Sequence, residues 1–349
     1  MAVKSLAVKY RPTTFDDVVG QEAIKTILQQ QLDTGTIKNV YLFCGGAGTG
    51  KTTCARIFAN ELNNHQGNPI ETDAASNNSV DDMRNIIQQA KTKSLESEYK
   101  VFIIDECHAL SNSAWQSLLK LLEEPPATSI FIFCTTDPQK IPKTILSRAQ
   151  RYDFQRISQS LIHNRLIHIL AREGYSVDNV DYGGVEYISK LADGGMRDAI
   201  TLLDKCLSYS PDLTLSNVTK ALGTADYEQM IDLTHYLIIR DEMRVIEVID
   251  SIYYKGIDLK QFIKQYQNFL LDVCKYGILE GFDSLQLPET EDIKEFLKKW
   301  TDSGFDTCLH LLDIVVKLNS EIKWDSNPKA AIQAALLLDC VRREENDRV

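Results

Sequence analysis

Along the first 155 residues, short apolar runs alternate with segments of helical period. Val40–Cys44, Tyr99–Ile104 and Ser129–Cys134 are nearly uninterrupted apolar stretches rich in β-branched and aromatic residues, and Pro69–Asp73 and Arg151–Phe154 are shorter versions. Runs of this length and composition predict strands buried on both faces. Between them lie segments with apolar residues three or four apart: Glu22–Leu32, Cys54–Leu62, a stretch from Ser79 to about Thr92, and Leu110–Pro126. Ser79-x-x-Asp82 reads as a capping box, and two prolines stop the segment that ends at Pro126. Asp16 and Asp17 could start a helix at Val18 leading into Glu22–Leu32. The alternation predicts an α/β, doubly wound parallel sheet over residues 36–155. After Ser158 only helical period remains, over about 159–172, 182–192, 196–206 and 214–222, and then from Asp226 to Arg343. Val315–Ile322 and Ala330–Leu338 are strongly apolar and predict a packed, all-α bundle suited to oligomerisation.

The first long strand runs into Gly45-Gly46-Ala47-Gly48-Thr49-Gly50-Lys51-Thr52-Thr53, which fills every position of the G-x-x-x-x-G-K-T phosphate loop. Phosphate oxygens are approached by bare backbone N–H groups, hence the glycines, and the following helix adds unpaired N–H groups and a positive dipole end. Lys51 can reach the β- and γ-phosphates of ATP, and the Thr52 hydroxyl can ligate Mg²⁺. A second buried strand ends in Asp105-Glu106. Parallel sheets bind ligands at the C-terminal ends of their strands, so Asp105 can hold Mg²⁺ and Glu106 can polarise an attacking water. Thr135 closes a third strand and could orient that water or sense the γ-phosphate, and a plain strand-end hydroxyl is the alternative. Tyr10, Val18 and Val19 offer ring and aliphatic surface for a purine, as against a plain leader to the first helix. Arg197 sits at a helix start, an unfavourable place for a cation unless it meets an anion.

The 349 residues carry a formal net charge of −11, unevenly placed. Residues 1–150 hold 15 basic and 16 acidic side chains, and the remainder holds 23 and 33. A freely diffusing, charge-driven DNA binder would be basic, so any DNA contact belongs to a local surface in the front part. No N-terminal apolar run reads as a signal peptide and no stretch reads as a membrane span, which makes the cytoplasm the expected location. Eight cysteines, none in a C-x-x-C pair, read as reduced core residues.

Together these motifs resemble the AAA+ clamp-loader ATPases, and among them the gamma/tau group of bacterial DNA polymerase III. The resemblance runs from Leu6 to about Gly223 through Lys9-Tyr10-Arg11-Pro12, Phe15-x-x-Val18-Val19-Gly20-Gln21, Gly45–Thr52 and Asp73-Ala-Ala-Ser76. It continues with Asp105-Glu106-x-His108-x-Leu110, Leu118-Leu-Lys-x-Leu-Glu-Glu-Pro-Pro126, Thr135–Lys140, Ile145-Leu-Ser-Arg148 and Gly195-x-Arg197-Asp198-Ala199. It implies three domains: a nucleotide-binding domain at 1–156, a small helical lid at 157–223 and a helical collar at 224–349. The implied machine uses ATP to open a ring-shaped sliding clamp and close it on primer–template DNA, within an oligomer, expected to be a pentamer, of clamp-loader subunits. By resemblance Lys51 contacts phosphate, Thr52 and Asp105 serve Mg²⁺, Glu106 activates water, and Thr135 and Arg197 are sensors. Tyr10, Arg11 and Pro12 with Val18 and Val19 would border the nucleotide. Arg148 matches the finger that completes a neighbour's site, a role for which a buried interfacial cation is expected. Asn78, Ser79 and Arg84 lie where such proteins touch the DNA backbone.

Three departures stand out. The family's four-cysteine zinc module has no counterpart, because Asn60–Pro69 is too short and holds no Cys. Ser147-Arg148-Ala149 lacks the family's third-position Cys. The chain also ends at 349 without tau's extension, which suggests a short gamma-like, divergent or viral form, or a truncated one. A non-hydrolysing structural subunit and another AAA+ DNA motor, such as a branch-migration or recombination ATPase, are the alternative functions. Intact Lys51, Thr52, Glu106 and Arg197 oppose the first. No stoichiometric zinc is expected, since no cysteine pair has ligand spacing. Elemental analysis checks this, and about one zinc per chain would refute it.

Overall fold

The computed structural model describes residues 5–94, 96–175, 182–222, 227–279, 281, 285, 287, 291–303 and 305–347. In chain order the first elements are α1 (Leu6–Lys9), α2 (Glu22–Thr34), β1 (Val40–Gly45), α3 (Lys51–Leu62), β2 (Ile70–Asp73) and α4 (Val80–Ala90). They are followed by β3 (Lys100–Asp105), α5 (Asn112–Glu123), β4 (Ser129–Thr135), α6 (Lys143–Leu146), β5 (Gln150–Phe154) and α7 (Gln159–Arg172). The remaining elements are helices: α8 (Tyr182–Leu191), α9 (Met196–Tyr209), α10 (Leu215–Leu222), α11 (Tyr227–Ile239) and α12 (Glu242–Tyr254). The last four are α13 (Leu259–Leu279), α14 (Glu291–Ser303), α15 (Phe305–Glu321) and α16 (Pro328–Asp347). The chain divides into two compact units, residues 1–177 with 192–204, and residues 178–191 with 205–349.

The first unit is built on five parallel strands in the order β2-β3-β4-β1-β5. The strands alternate their side chains between two apolar layers, as a period of two demands. Leu42, Phe102, Ile104, Phe131 and Phe133 face α4, α5 and α6, whereas Tyr41, Phe43, Val101, Ile103 and Ile132 face α2 and α3. Every residue of β4 is buried, which explains its unbroken apolar run. The buried Tyr41 satisfies its hydroxyl on Gln31 at 2.9 Å. The Ser79 capping box forms as expected, with Asp82 accepting from the Ser79 N–H at 3.1 Å. Asp16 and Asp17 do not start a helix at Val18. Asp17 accepts from the Thr14 hydroxyl at 2.9 Å inside a turn, and α2 begins at Glu22 after Gln21 in a left-handed conformation (φ 60°). Gln21 is held there by its own side chain, which accepts from Gln155 N–H at 3.1 Å and donates to Gln155 O at 2.7 Å.

The second unit is all helical. Its core centres on α13, where the stacked rings of Phe262, Tyr266 and Phe269 are fully or nearly fully buried. The Tyr266 hydroxyl meets Thr234 Oγ1 at 3.0 Å, so the ring contributes apolar area without a stranded polar atom. Helix α15 packs on α13, α12 pairs with α11 and α16, and the apolar stretches noted in α15 and α16 supply Val315, Leu318, Ile332 and Leu336 to the same core. The proposed junction at 223/224 lies outside the described residues. Among the described residues, no helix is long and apolar enough to cross a membrane.

All eight cysteines are buried, and none forms a disulfide. Burial pushes the Cys54 and Cys308 thiols up to about 12 and those of Cys206 and Cys274 up to about 11, with Cys107 and Cys134 also well above the ordinary range. Thiolate is the reactive form, so the native protein should resist a thiol reagent at about pH 8 and titrate eight thiols only after unfolding. Rapid labelling of several thiols in the native state would contradict this.

Candidate nucleotide site

The site grows from the C-terminal edge of the sheet. Strand β1 lies between β4 and β5, and the chain leaves it through α3 for the far edge, making a switch point of the kind at which open α/β sheets bind ligands. The pairing Cys44↔Thr135 sets Thr135 beside the entrance of the loop, and Asp73↔Asp105 aligns the ends of β2 and β3. Gly45 meets β5 so closely that a Cβ on it would fall 2.5 Å from Phe154 O. Only a residue without a side chain fits there.

Residues 45–50 then curl around the N-terminus of α3. Lys51 is buried at 6% exposure, and its ammonium donates to Gly45 O at 2.9 Å and Gly46 O at 2.7 Å. The Thr49 hydroxyl donates to Gly46 O at 2.9 Å. These bonds satisfy the Gly45 and Gly46 carbonyls from within the loop. The Thr52 hydroxyl donates to Asp105 Oδ2 at 2.7 Å, joining the first helical residues to the end of β3. Glu106 has φ 46°, a left-handed conformation that costs a non-glycine residue roughly 1–3 kcal/mol and clusters at functional sites. Its Oε2 accepts from the Thr136 hydroxyl at 3.0 Å.

A cavity of about 530 Å³ opens here. Ala47, Gly48, Thr49, Gly50, Lys51, Thr52 and Thr53 form its floor, with Asp105 and Glu106 at one end. Tyr10, Arg11, Pro12, Val18 and Val19 form one wall, and Arg197 stands on another with Met196 and Asp198. Helix α9 docks directly on the loop: Met196 N–H donates to Gly48 O at 3.0 Å. Thr135 lies at the end of β4 outside the cavity lining, as do Gly45 and Gly46 beneath it.

Other expected residues stand elsewhere. Asn78 and Ser79 lie in the β2–α4 loop, where Asn78 O accepts from Ser111 Oγ at 3.2 Å and Ser79 caps α4. Arg84 pairs with Asp81 at 2.7 Å, an exposed contact of little energetic weight. Arg148 is not the buried cation expected. It is exposed and donates to Glu123 at 2.7 Å and Thr144 O at 2.6 Å.

Several residues were passed over in the sequence. Arg56 lines the cavity and makes a two-bond pair with Glu71 at 2.7 and 2.6 Å. The available signal was its spacing: Arg56 is four residues after Thr52, hence on the same helical face. Burial, then the neighbouring charges of Arg56 and Arg197, lower the pKa of Arg11. Cations thus gather on this side of a lining that also carries Glu71, Asp73, Asp105 and Glu106. Tyr10 donates to Glu173, Lys9 pairs with Glu173 at 2.6 Å, and Arg165 donates to Tyr10 O at 3.3 Å, so α7 fixes the wall that Tyr10 provides. Among the described residues no cluster of three or more potential metal-binding side chains occurs.

Comparison with known proteins places this geometry. Family models match in sequence along the chain: DNA polymerase III, delta subunit, over residues 69–158; DNA polymerase III clamp loader subunit, ATPase lid domain, over 161–212; and DNA polymerase III subunits gamma and tau domain III over 213–342. The DNA polymerase III subunit gamma of Buchnera aphidicola is 30% identical, with 97% of this chain and 98% of that one aligned. The chain belongs to the DNA polymerase III gamma/tau family. It is thus a member of the clamp-loader ATPases, an ATP-binding AAA+ family of DNA replication. The tau subunit of Bacillus subtilis is 34% identical over 97% of this chain but only 64% of its own length, and that of Salmonella typhimurium is 35% identical over 97% and 55%. The gamma/tau chain described here therefore spans less than two-thirds of those tau subunits. Thermotoga maritima RuvB, titled a Holliday junction branch migration motor, superposes with a TM-score of 0.52 over 83% of this chain and 98% of its own at 20% identity, which shows the shared fold alone.

Gly48 has φ +69°, and a Cβ on it would lie 2.9 Å from Gly195 Cα. Gly48→Ala should therefore cost about 1–3 kcal/mol and loosen α9 from the loop. Thermal unfolding together with nucleotide affinity checks this, and an unchanged melting temperature and affinity would contradict it.

Proposed function

We propose that this gamma/tau-family chain is an ATPase subunit of a DNA polymerase clamp loader, using ATP binding and hydrolysis to load a sliding clamp onto primer–template DNA. The observation that carries the reading is the convergence, in one cavity, of the Lys51 loop, the Thr52–Asp105 pair and Glu106. The cationic side chains of Lys51, Arg11, Arg56 and Arg197 suit a triphosphate, and the bare loop N–H groups suit its oxygens. Tyr10, Val18 and Val19 would cover the base, with Arg11 and Pro12 at its edge.

Thr52 and Asp105 present only oxygen donors, the set a hard divalent cation such as Mg²⁺ takes, and that ion would neutralise charge developing on the phosphates. Lys51 would hold the β- and γ-phosphates. Glu106 would take the proton of the attacking water as its oxygen bonds to the γ-phosphorus and the bond to the β-phosphate oxygen breaks, giving ADP and phosphate. Thr135 and Arg197 would register the γ-phosphate.

Arg148 would act on a neighbouring subunit's γ-phosphate. Its exposure supports such a role, since a cation held by one solvent-accessible carboxylate can exchange it for a more highly charged partner at modest cost. Asn78, Ser79 and Arg84 are proposed to meet the DNA backbone. The partners we infer are other clamp-loader subunits, in a homo- or hetero-oligomer of about five as the family resemblance implies, together with the clamp and DNA in the cytoplasm. Division into a nucleotide domain (1–156), a lid (157–223) and a collar (224–349) belongs to the same proposal.

In the assembled loader with primed DNA, Glu106→Gln should bind ATP normally and lose about 10²–10⁴ in turnover, because only water activation is removed. Wild-type turnover in that variant would remove Glu106 from the role. Arg148→Ala should cost roughly 10³–10⁵ in turnover. Mixing Arg148→Ala with Lys51→Ala chains, together with any subunits the assembly needs, should restore part of it, since some sites then pair an intact loop with an intact finger. Co-assembled mixtures that stay inactive would place Arg148 in its own chain's chemistry.

A further inference from the structure

His108 sits in the short turn Cys107–Ala109 that follows Glu106 and has no part in the reading above. Its Nδ1 is 3.2 Å from Thr135 Oγ1 and 3.3 Å from Glu106 Oε2. One ring nitrogen therefore touches both the hydroxyl at the end of β4 and the carboxylate after β3.

The neighbours decide which tautomer fits. Glu106 Oε2 can only accept, and it already receives the Thr136 hydroxyl at 3.0 Å. A bare Nδ1 would aim its lone pair at that carboxylate oxygen, a repulsive contact. A proton on Nδ1 makes both contacts favourable: the N–H donates to Oγ1, and its partial positive charge lies against Oε2. This assignment then fixes Thr135. Its Oγ1 also accepts the Asp137 N–H at 3.0 Å, so with two donors pointing at it the hydroxyl must send its own proton elsewhere. Thr135 is thereby turned into a donor directed away from His108. On the other side, Oε2 of Glu106 accepts from Thr136 and lies against the Nδ1 proton, and Oε1 takes no part in either contact and is left as the basic oxygen.

We propose that His108, as the Nδ1–H tautomer, is a positioning residue whose N–H orients the Thr135 hydroxyl by a hydrogen bond and aims the Glu106 carboxylate by its close electrostatic contact. The two elements it joins come from different strands, so a shift at either one reaches the other. His108 thereby ties the group that would sense the γ-phosphate to the group that would activate water. The proposal rests on the reading of Glu106 as the base.

The test uses three variants in the full assembly with primed DNA, and reads kcat, KM for ATP and thermal unfolding. An asparagine amide can stand near the place of Nδ1, whereas a glutamine amide reaches toward the place of Nε2. His108→Ala and His108→Gln should lower kcat about 10- to 100-fold with KM unchanged, as misplacement of a reacting group does. His108→Asn should recover most of the loss. A ring that serves packing alone would give Asn and Gln variants of equal kcat. Such equality, or an Ala variant at or above wild-type kcat, overturns the proposal. Wild-type protein that turns over ATP, with Glu106→Gln inactive and all His108 variants at wild-type rate, overturns this inference alone. A wild-type assembly with no ATP turnover overturns the reading beneath it and the inference together.

Discussion

The first unit depends on keeping a stretch of backbone N–H groups unpaired while burying an ammonium beneath them. Buried polar groups are costly without partners, so each departure needs local compensation. Lys51 is satisfied by the carbonyls of Gly45 and Gly46, so the loop's own backbone pairs the ammonium it covers. That geometry is possible only where β5 can press against Gly45 and where Gly195 can press against Gly48. The order of the sheet, the register of β1 with β4 and the docking of α9 all serve the same few residues.

Charge is arranged around the loop on the same principle. Arg11, Arg56, Arg197 and Lys51 would repel one another in an empty cavity, and Glu71, Asp105 and Glu106 offset them within it. The near-neutral balance of residues 1–150 thus hides a strongly patterned interior. Arg56 and Arg148 are each held by a carboxylate of their own chain, Glu71 and Glu123. Such pairs satisfy the cations without committing them, because exposed ion pairs contribute little and can be exchanged for a phosphate. Opposed acid and base chemistry at one sheet edge is the common feature: a hydroxyl bonded to Asp105, a hydroxyl bonded to Glu106 and an imidazole between two strands.

The parallel sheet and the loop were legible in the sequence because both rest on local rules. Short apolar runs rich in β-branched and aromatic residues, set between segments of helical period, read as strands buried on both faces, and the G-x-x-x-x-G-K-T spacing between strand and helix has a specific mechanical meaning. What stayed hidden depends on contacts distant in sequence. The spacing of Arg56 puts it on the Thr52 face, but its pairing with Glu71 shows only in three dimensions, and the Tyr10 wall depends on Arg165 of α7 and on Glu173 just beyond it. The exposure of Arg148 is a property of the surface around α6, which no spacing in Ile145-Leu-Ser-Arg148 encodes. Helix α2 begins at Glu22 as its period predicts, but no helix starts at Val18, because Asp17 spends its carboxylate on Thr14, three residues back, and caps nothing. In the helical unit, period alone located the elements, but which helices share the Tyr266 core follows from three-dimensional packing.

The central claim is that the Lys51 cavity is a nucleotide site. Calorimetric titration of ATP with Mg²⁺ into the purified chain, beside the Lys51→Ala variant, tests it most directly. Binding of one nucleotide per chain, weakened about tenfold or more when the ammonium is removed, is the expected result, since about 1.4 kcal/mol is a factor of ten in affinity. No binding, or equal affinity in the two proteins, would contradict it.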